Sequence, residues 1–354
     1  MASPRRPVAN NSAELHNDGR DMAYLVDVEL GSQGQKLKMV VDTGSSDTWV
    51  YGQACEKKAC LAHTRYDHSL SSDFKEEDLP FTVHYGTGDS KGNFVTDRMK
   101  VGDFDFVTKF GIISEASDVF IGFPLDGILA LGFNNVSMSG QPGFLEELYS
   151  NKLIDRRTFG LALSKTNESI HDGVINFGGY DPTYFNGDLQ FRNVTNQNMA
   201  AYWQVPVEEI KHNDQVINKH GKHGILDSGT SMMVAPYWDA SHLHSGIPGA
   251  LTNGNSFQVP CSTKDTMELK LNGISFKLMP EDWIGKPVAG SKDACISLIS
   301  GHKVEHEAYL GKTTWLLGAA FMRNAYVYFD VDNMRIGKCC TLHDKILSHA
   351  DLSV

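Results

Sequence analysis

The chain has 354 residues, 41% of them hydrophobic, so it can bury a large core and exceeds the usual size of one domain. Its balance is acidic, 43 Asp plus Glu against 32 Lys plus Arg for a formal net charge of −11, which argues against a nucleic-acid partner. Six cysteines are too few for a disulfide-built scaffold, and no apolar stretch approaches the roughly 18 residues a spanning helix needs, so no membrane span is expected.

In chain order, residues 1–20 are polar, include Arg5 and Arg6, and lack the apolar core of a secretory signal. They read as an N-terminal extension or prosegment remnant ahead of a first lobe over 21–190. Tyr24–Leu30 alternates in part, as a half-buried strand does. Residues 95–106 read as two strands joined at Gly102-Asp103. The best helix lies over 142–152, where Pro142 opens the first turn and Phe144, Leu145 and Leu148 line one face. Region 181–198, rich in Asn and without a sustained apolar pattern, reads as the lobe boundary, with the second lobe over 191–340 and a polar tail over 341–354. Residues 267–278 read as a hairpin turning at Asn272-Gly273. Short Val, Ile, Phe and Tyr runs broken by 33 glycines make the fold class mostly β with few short helices.

The chemistry is carried by an echo. Val40-Val41-Asp42-Thr43-Gly44-Ser45-Ser46 and Ile225-Leu226-Asp227-Ser228-Gly229-Thr230-Ser231 each set a carboxylate on a Gly-containing turn after an apolar run. A single such turn is ordinary. Two copies are followed at 90 and 91 residues by the apolar runs ending in Gly132 and Gly318, so the chain reads as two diverged halves. A fold that brings Asp42 and Asp227 together makes a pair in which one proton is shared, acid and base at once.

These loops, with Tyr85-Gly86-Thr87-Gly88, Asp126-Gly127-Ile128-Leu129, Phe177-Gly178-Gly179-Tyr180-Asp181-Pro182 and Tyr202-Trp203-Gln204-Val205, resemble the pepsin-like aspartic proteases in content and order over nearly the whole chain. The resemblance leans toward fungal or protist members. It implies a bilobal pepsin-like double β-barrel with pseudo-two-fold symmetry, in which Asp42 and Asp227 hydrolyse peptide bonds through a water held between them. It further implies that Thr43 and Ser228 bond across the lobe interface, that Ser45 and Thr230 support the carboxylates, and that Gly44 and Gly229 allow close backbone approach. Tyr85, Gly86 and Thr87 then form a flap over substrate, Trp49 reaches the flap tyrosine, and Ile128 lines a subsite.

By the same resemblance, Cys55–Cys60 and Cys261–Cys295 are disulfides, which implies an oxidising compartment, whereas Cys339 and Cys340 have no obvious partners. Sequons at Asn10, Asn135, Asn167 and Asn193 also point to the secretory route, and the sequence reads as a mature enzyme without leader or inhibitory prosegment. The expected setting is secreted or the vacuolar or lysosomal lumen. The expected partners are polypeptide substrates with apolar residues around the scissile bond and pepstatin-like transition-state inhibitors, with the enzyme a monomer.

Other constellations are weaker. Ser45, Ser46 and Ser231 sit in no Gly-x-Ser-x-Gly elbow, and His242/His244 or His302/His306 lack a completing carboxylate or cysteine set, so no metal and no cofactor are expected. The rival reading is a catalytically silent binding protein on the same scaffold. Retention of Asp42, Asp227, Tyr85, Gly44 and Gly229 argues against it. Ala319 follows Gly318 where many relatives carry an aspartate, a loss of charge that eases ionisation of the pair.

Overall fold

A computed structural model describes residues 11–86, 88–166, 172–195, 200–302 and 311–341. Strands dominate and the helices are short. The strand Gln35–Asp42 shows how the sequence feeds this architecture: Lys36 and Lys38 are exposed and Leu37 and Met39 buried, and from Met39 onward every residue is buried. A one-sided strand thus becomes a central one, able to pair on both edges.

In the first half, Tyr24–Leu30, Gln35–Asp42, Gly127–Ala130, Trp49–Tyr51, Phe104–Ala116 and Asp89–Val101 pair in that order, and Asp89–Val101 returns to Tyr24–Leu30 through Val28↔Val101 and Leu30↔Met99. The sheet therefore closes as a six-strand barrel. In the second half, Ile274–Leu278, Met267–Leu271, Gln204–His212, Gln215–Leu226, Thr314–Leu317, Met233–Ala235 and Ile299–Gly301 form a seven-stranded sheet, with a four-stranded sheet beside it. Among the described residues that second sheet does not close on itself, so the double barrel is closed in its first half only.

The halves are joined by strands from both ends of the chain. Phe185–Asn193, Arg335–Thr341, Tyr326–Asp330, Thr158–Leu163, Gly173–Phe177 and Ser12–Asn17 pair in series and run on into Tyr24–Leu30. The region read as a lobe boundary is therefore partly a strand, and Ser12–Asn17, within the stretch read as an extension, is another. Residues 1–10 and 342–354 lie outside the described residues.

Local expectations meet their physical tests. The 95–106 turn is the link Val101↔Phe104 with Gly102 at φ 55°, and the 267–278 hairpin turns with Asn272 at φ 45° and Gly273 at φ 84°, the left-handed pair that a tight hairpin demands. The helix is Phe144–Ser150, with Phe144, Leu145 and Leu148 buried as expected. Pro142 does not open it: Gly143 is the cap, its N–H bonded to Asn134 Oδ1 at 3.1 Å. No helix among the described residues is long and apolar enough to cross a membrane.

Candidate active site

Each aspartate sits where a buried strand ends beside a parallel neighbour. Val40 and Val41 pair with Ile128 and Leu129, and Ile225 and Leu226 pair with Leu316 and Leu317. The antiparallel contacts Trp49↔Ile128 and Met233↔Leu317 repeat the pattern, as do the parallel contacts Trp49↔Gly111 and Met233↔Ile299. The two halves thus offer their aspartates from matching frames.

The register revises one detail of the sequence echo. Asp42 lies opposite Ala130, the residue after Leu129, while the corresponding residue after Leu317 is Gly318, so Gly132 is not its strand counterpart. Gly132 and Gly318 still share a contact: a Cβ on either would fall 2.6 Å from the Ser45 carbonyl oxygen or 2.3 Å from that of Thr230. The near-equal spacing reports the close packing of the two aspartate loops rather than a common register.

Four reciprocal hydrogen bonds lock the loops together. Thr43 N–H donates to Ser228 Oγ at 3.0 Å and Ser228 N–H to Thr43 Oγ1 at 3.0 Å. The hydroxyls donate onward, Thr43 Oγ1 to the Leu226 carbonyl at 2.8 Å and Ser228 Oγ to that of Val41 at 2.6 Å. Both residues are buried, so every one of these groups needs its partner.

The grip sets the carboxylates against glycines of the opposite half. A Cβ on Gly44 would lie 2.6 Å from Asp227 Cγ, and one on Gly229 would lie 2.4 Å from Asp42 Cγ. Side-chain-free backbone is the only surface that admits them. Asp42 accepts from Gly44 N–H at 2.8 Å and from the Ser45 hydroxyl; Asp227 accepts from Gly229 N–H at 3.1 Å and from Thr230 Oγ1 at 2.6 Å. Burial first, then the charge of Asp227 beside it, pushes the Asp42 carboxyl up to about 8, and a hydrogen bond to Asp227 that only the protonated form donates adds to this. Two carboxyls so placed do not both ionise freely.

Above the pair, Lys75–His84 and Asp89–Val101 form a hairpin whose turn carries Tyr85, Gly86 and Gly88, closed by Tyr85 N–H to the Gly88 carbonyl at 2.9 Å. Thr87 lies outside the described residues. Trp49, fully buried, donates Nε1–H to Tyr85 Oη at 2.6 Å. The Tyr85 phenol is raised well above its ordinary value, chiefly by burial, so it stays a neutral donor. Ile128 is buried in the cluster that holds Trp49 and packs Tyr85 against it.

Sequence reasoning missed Phe120, whose ring meets both Tyr85, at 6.0 Å, and Trp49, at 6.2 Å, edge-on. Nothing in the local run Val119-Phe120-Ile121 signals this role. It also missed Tyr202 as a neighbour of the pair: its phenol is raised by burial and then by the charge of Asp227. Ala319 is fully buried and gives its N–H to the Thr230 carbonyl at 2.7 Å, so it braces the loop that holds Asp227. Disulfides join Cys55 to Cys60 and Cys261 to Cys295. Cys339 is buried, its Sγ bonded to the Asn186 carbonyl at 2.6 Å. No group of three His, Cys, Asp or Glu among the described residues could hold a metal, and His306 lies outside them.

The family described as eukaryotic aspartyl protease matches residues 23–340. The chain belongs to that family. It is 37% identical over 337 residues to the "Probable aspartic-type endopeptidase CTSD" of Trichophyton verrucosum, covering 95% of this chain and 64% of that protein. It is 36% identical over 333 residues to the "Aspartic-type endopeptidase ctsD" of Aspergillus fumigatus, covering 94% and 68%, and 30% identical over 342 residues to mouse "Cathepsin D", covering 92% and 82%. The chain therefore spans about two thirds of the fungal relatives and more of the animal one.

Proposed function

We propose that this chain is an aspartic endopeptidase, with Asp42 and Asp227 as its catalytic residues. The observation that carries the reading is that each carboxyl is set against the glycine of the opposite loop, 2.6 Å from a Cβ on Gly44 for Asp227 Cγ and 2.4 Å from one on Gly229 for Asp42 Cγ. A peptide amide is a poor electrophile with a poor leaving group, so its hydrolysis needs an activated water and a proton delivered to nitrogen. In a one-proton pair, the ionised carboxylate takes a proton from the attacking water while the protonated one polarises the carbonyl, and no covalent intermediate forms. Aspartic proteases are a standard example of such a coupled pair.

The other residues follow from physical need. Thr43 and Ser228 fix the relative positions of the carboxyls, Ser45 and Thr230 stabilise the charged form, and Gly44 and Gly229 make room. Tyr85 with Gly86 and Thr87 closes over the substrate and excludes water, Trp49 steadies Tyr85, and Ile128 lines the pocket beneath. The apolar cluster that Phe120, Ile128 and Trp49 form around Tyr85 supports a preference for apolar side chains flanking the cut. We place the lobes at 21–190 and 191–340, sharing the central sheet.

The natural ligands of the site are polypeptides, and pepstatin-like transition-state mimics bind the same pair; the enzyme acts as a monomer. Two disulfides, and relatives named cathepsin D and, in Candida albicans, vacuolar aspartic protease, support a secretory-route setting, secreted or in a vacuolar or lysosomal lumen. We add a glycan at Asn193 among the sequons within the described residues: it is exposed, whereas the Asn135 amide is engaged with the Ala200 carbonyl at 2.9 Å. A statine-containing peptide tests the site directly. It should raise the melting temperature of the wild type and of Thr64→Ala, and lose most of that effect in Asp42→Asn and Asp227→Asn; equal stabilisation of all four proteins refutes the site.

A further inference from the structure

One ring outside the carboxyl pair has a hydrogen-bond demand that only an added proton meets. His63 follows the short helix Lys58–Leu61, with Nδ1 2.6 Å from the Ala59 carbonyl oxygen and Nε2 2.7 Å from the Phe123 carbonyl oxygen. Carbonyl oxygens accept and never donate, and a neutral imidazole has one N–H and one lone pair. In the neutral ring, one contact is therefore a lone pair facing an oxygen at hydrogen-bond distance; the imidazolium makes both bonds. The ring is stacked on Tyr51, centroids 4.9 Å apart and 13° between planes, an arrangement that favours a cation.

His244 supplies the contrast. Its Nδ1 meets the Ala240 carbonyl at 2.7 Å, but its Nε2 meets the Ser297 hydroxyl at 2.8 Å, which can donate, so a neutral ring is satisfied there. The partners of His63 offer no such choice.

What those two carbonyls belong to gives the proton a consequence. Ala59 lies inside the Cys55–Cys60 loop. Phe123 ends the 3₁₀ turn Asp118–Gly122, its N–H bonded to the Phe120 carbonyl at 3.1 Å, and Phe120 is the ring that meets Tyr85 and Trp49. The same turn supports the hairpin tip, since a Cβ on Gly88 would lie 2.7 Å from Val119 Cγ1. We infer that His63, as imidazolium, is a positioning residue that ties the Phe120 wall of the cleft to the disulfide loop, so that the pocket under Tyr85 is set when His63 is protonated and slackens when it is not. The kinetic part of this inference rests on the peptidase reading; the structural part does not.

The charged groups around the ring come from every element against it. Asp126, which accepts Thr64 N–H at 2.8 Å and lies near the Tyr51 hydroxyl, and Asp118 at the start of the turn are the acidic groups on those elements. Lys57 and Lys58 on the helix and Arg65, whose Nη1 donates to the Cys55 carbonyl at 3.1 Å, are the basic ones.

The test combines nitrogen spectra of histidine-labelled protein with steady-state kinetics on a fluorogenic peptide over the acid-to-neutral range. Below its titration, His63 should show two protonated ring nitrogens, and the Trp49 indole N–H resonance should move with the same midpoint. KM should rise through that midpoint. In His63→Phe, which keeps the stack on Tyr51, KM should stand about fivefold or more above wild type in acid, lose that inflection and leave kcat within about twofold. Should that variant fail to fold, His63→Gln carries the same expectation. A pyridine-type nitrogen on His63 in acid, an indole signal indifferent to its titration, or a variant with the wild-type KM profile overturns the inference. A wild type that cuts no peptide refutes the peptidase reading instead, and the two resonances still decide the charge of His63 and its link to the cleft wall.

Discussion

Asp42 is 5% exposed while Asp227 is half-buried, so burial penalises a charge more on Asp42. It also fixes a sign for stability. The Asp42 carboxyl stands at about 8 in the fold against an ordinary 3.8, so the folded state binds the proton more tightly than the unfolded chain does. The stability this contributes is complete below about pH 4 and drains away as pH rises toward about 8. Asp42→Asn, which keeps the shape without the charge, should therefore melt higher than wild type at neutral pH, by several degrees at about 2–4 °C per kcal/mol, and show almost no gain near pH 3. Calorimetry at the two pH values checks it; an equal gain at both contradicts the burial argument.

Gly44 tests the geometry in the other direction. Its missing side chain is the space that the Asp227 carboxylate fills, and a Cβ at 2.6 Å leaves neither group a free path. Gly44→Ala should stay folded, because the grip bonds of Thr43 and Ser228 are untouched, yet lose peptide hydrolysis by about 10²-fold or more through a displaced carboxylate. Activity within twofold of wild type would show that the two halves meet less closely than described.

At the scale of elements, the flap and the disulfides make separable contributions. Trp49→Phe keeps an aromatic ring in the buried cluster but removes the only donor that indole gives Tyr85. KM should rise about three- to tenfold with a smaller change in kcat, since positioning rather than proton transfer is lost. Chain-entropy reasoning sets the loop of 34 residues closed by Cys261–Cys295 at about 4 kcal/mol and that of five closed by Cys55–Cys60 at about 2 kcal/mol. Cys261→Ala/Cys295→Ala should thus lower the denaturation midpoint more than Cys55→Ala/Cys60→Ala, whereas the latter, beside the Tyr51 and His63 stack, should affect KM more.

Hairpins were legible because their signal is local: Gly102 and Asn272-Gly273 hold the turn conformations in themselves. The register behind the aspartates was not. Leu129 and Leu317 are strand counterparts although Gly132 and Gly318 are the nearer match in spacing, because register follows pairing partners that no short motif contains. Phe120 and His63 were hidden for the same reason, since the meaning of Phe120 lies in contacts with Trp49 and Tyr85 and that of His63 in a contact with the Phe123 carbonyl, each tens of residues away in the chain.

For the molecule as a whole, the central feature is mutual dependence of the halves. Both ends of the chain enter one sheet, and Trp203 from the second half gives its Nε1–H to the Leu131 carbonyl at 3.0 Å, next to the Asp42 loop. The two Asp-x-Gly loops made this halving visible in sequence, but the shared sheet, built in part from residues that looked like a link and an extension, was not. Thr43→Val strands the Ser228 N–H and the Leu226 carbonyl, each at about 1–3 kcal/mol when buried without a partner. It should lower the melting point of the whole molecule in one transition, not of one half alone.

The most direct measurement is hydrolysis of a peptide library from about pH 3 to about pH 7 by wild type, Asp42→Asn and Asp227→Asn, with folding of each confirmed by calorimetry. The account predicts cleavage beside apolar residues with an acid-side optimum in the wild type, and loss of at least about 10³-fold in each single variant, because neither carboxyl alone supplies both the base and the acid. Undiminished cleavage by either folded variant contradicts it.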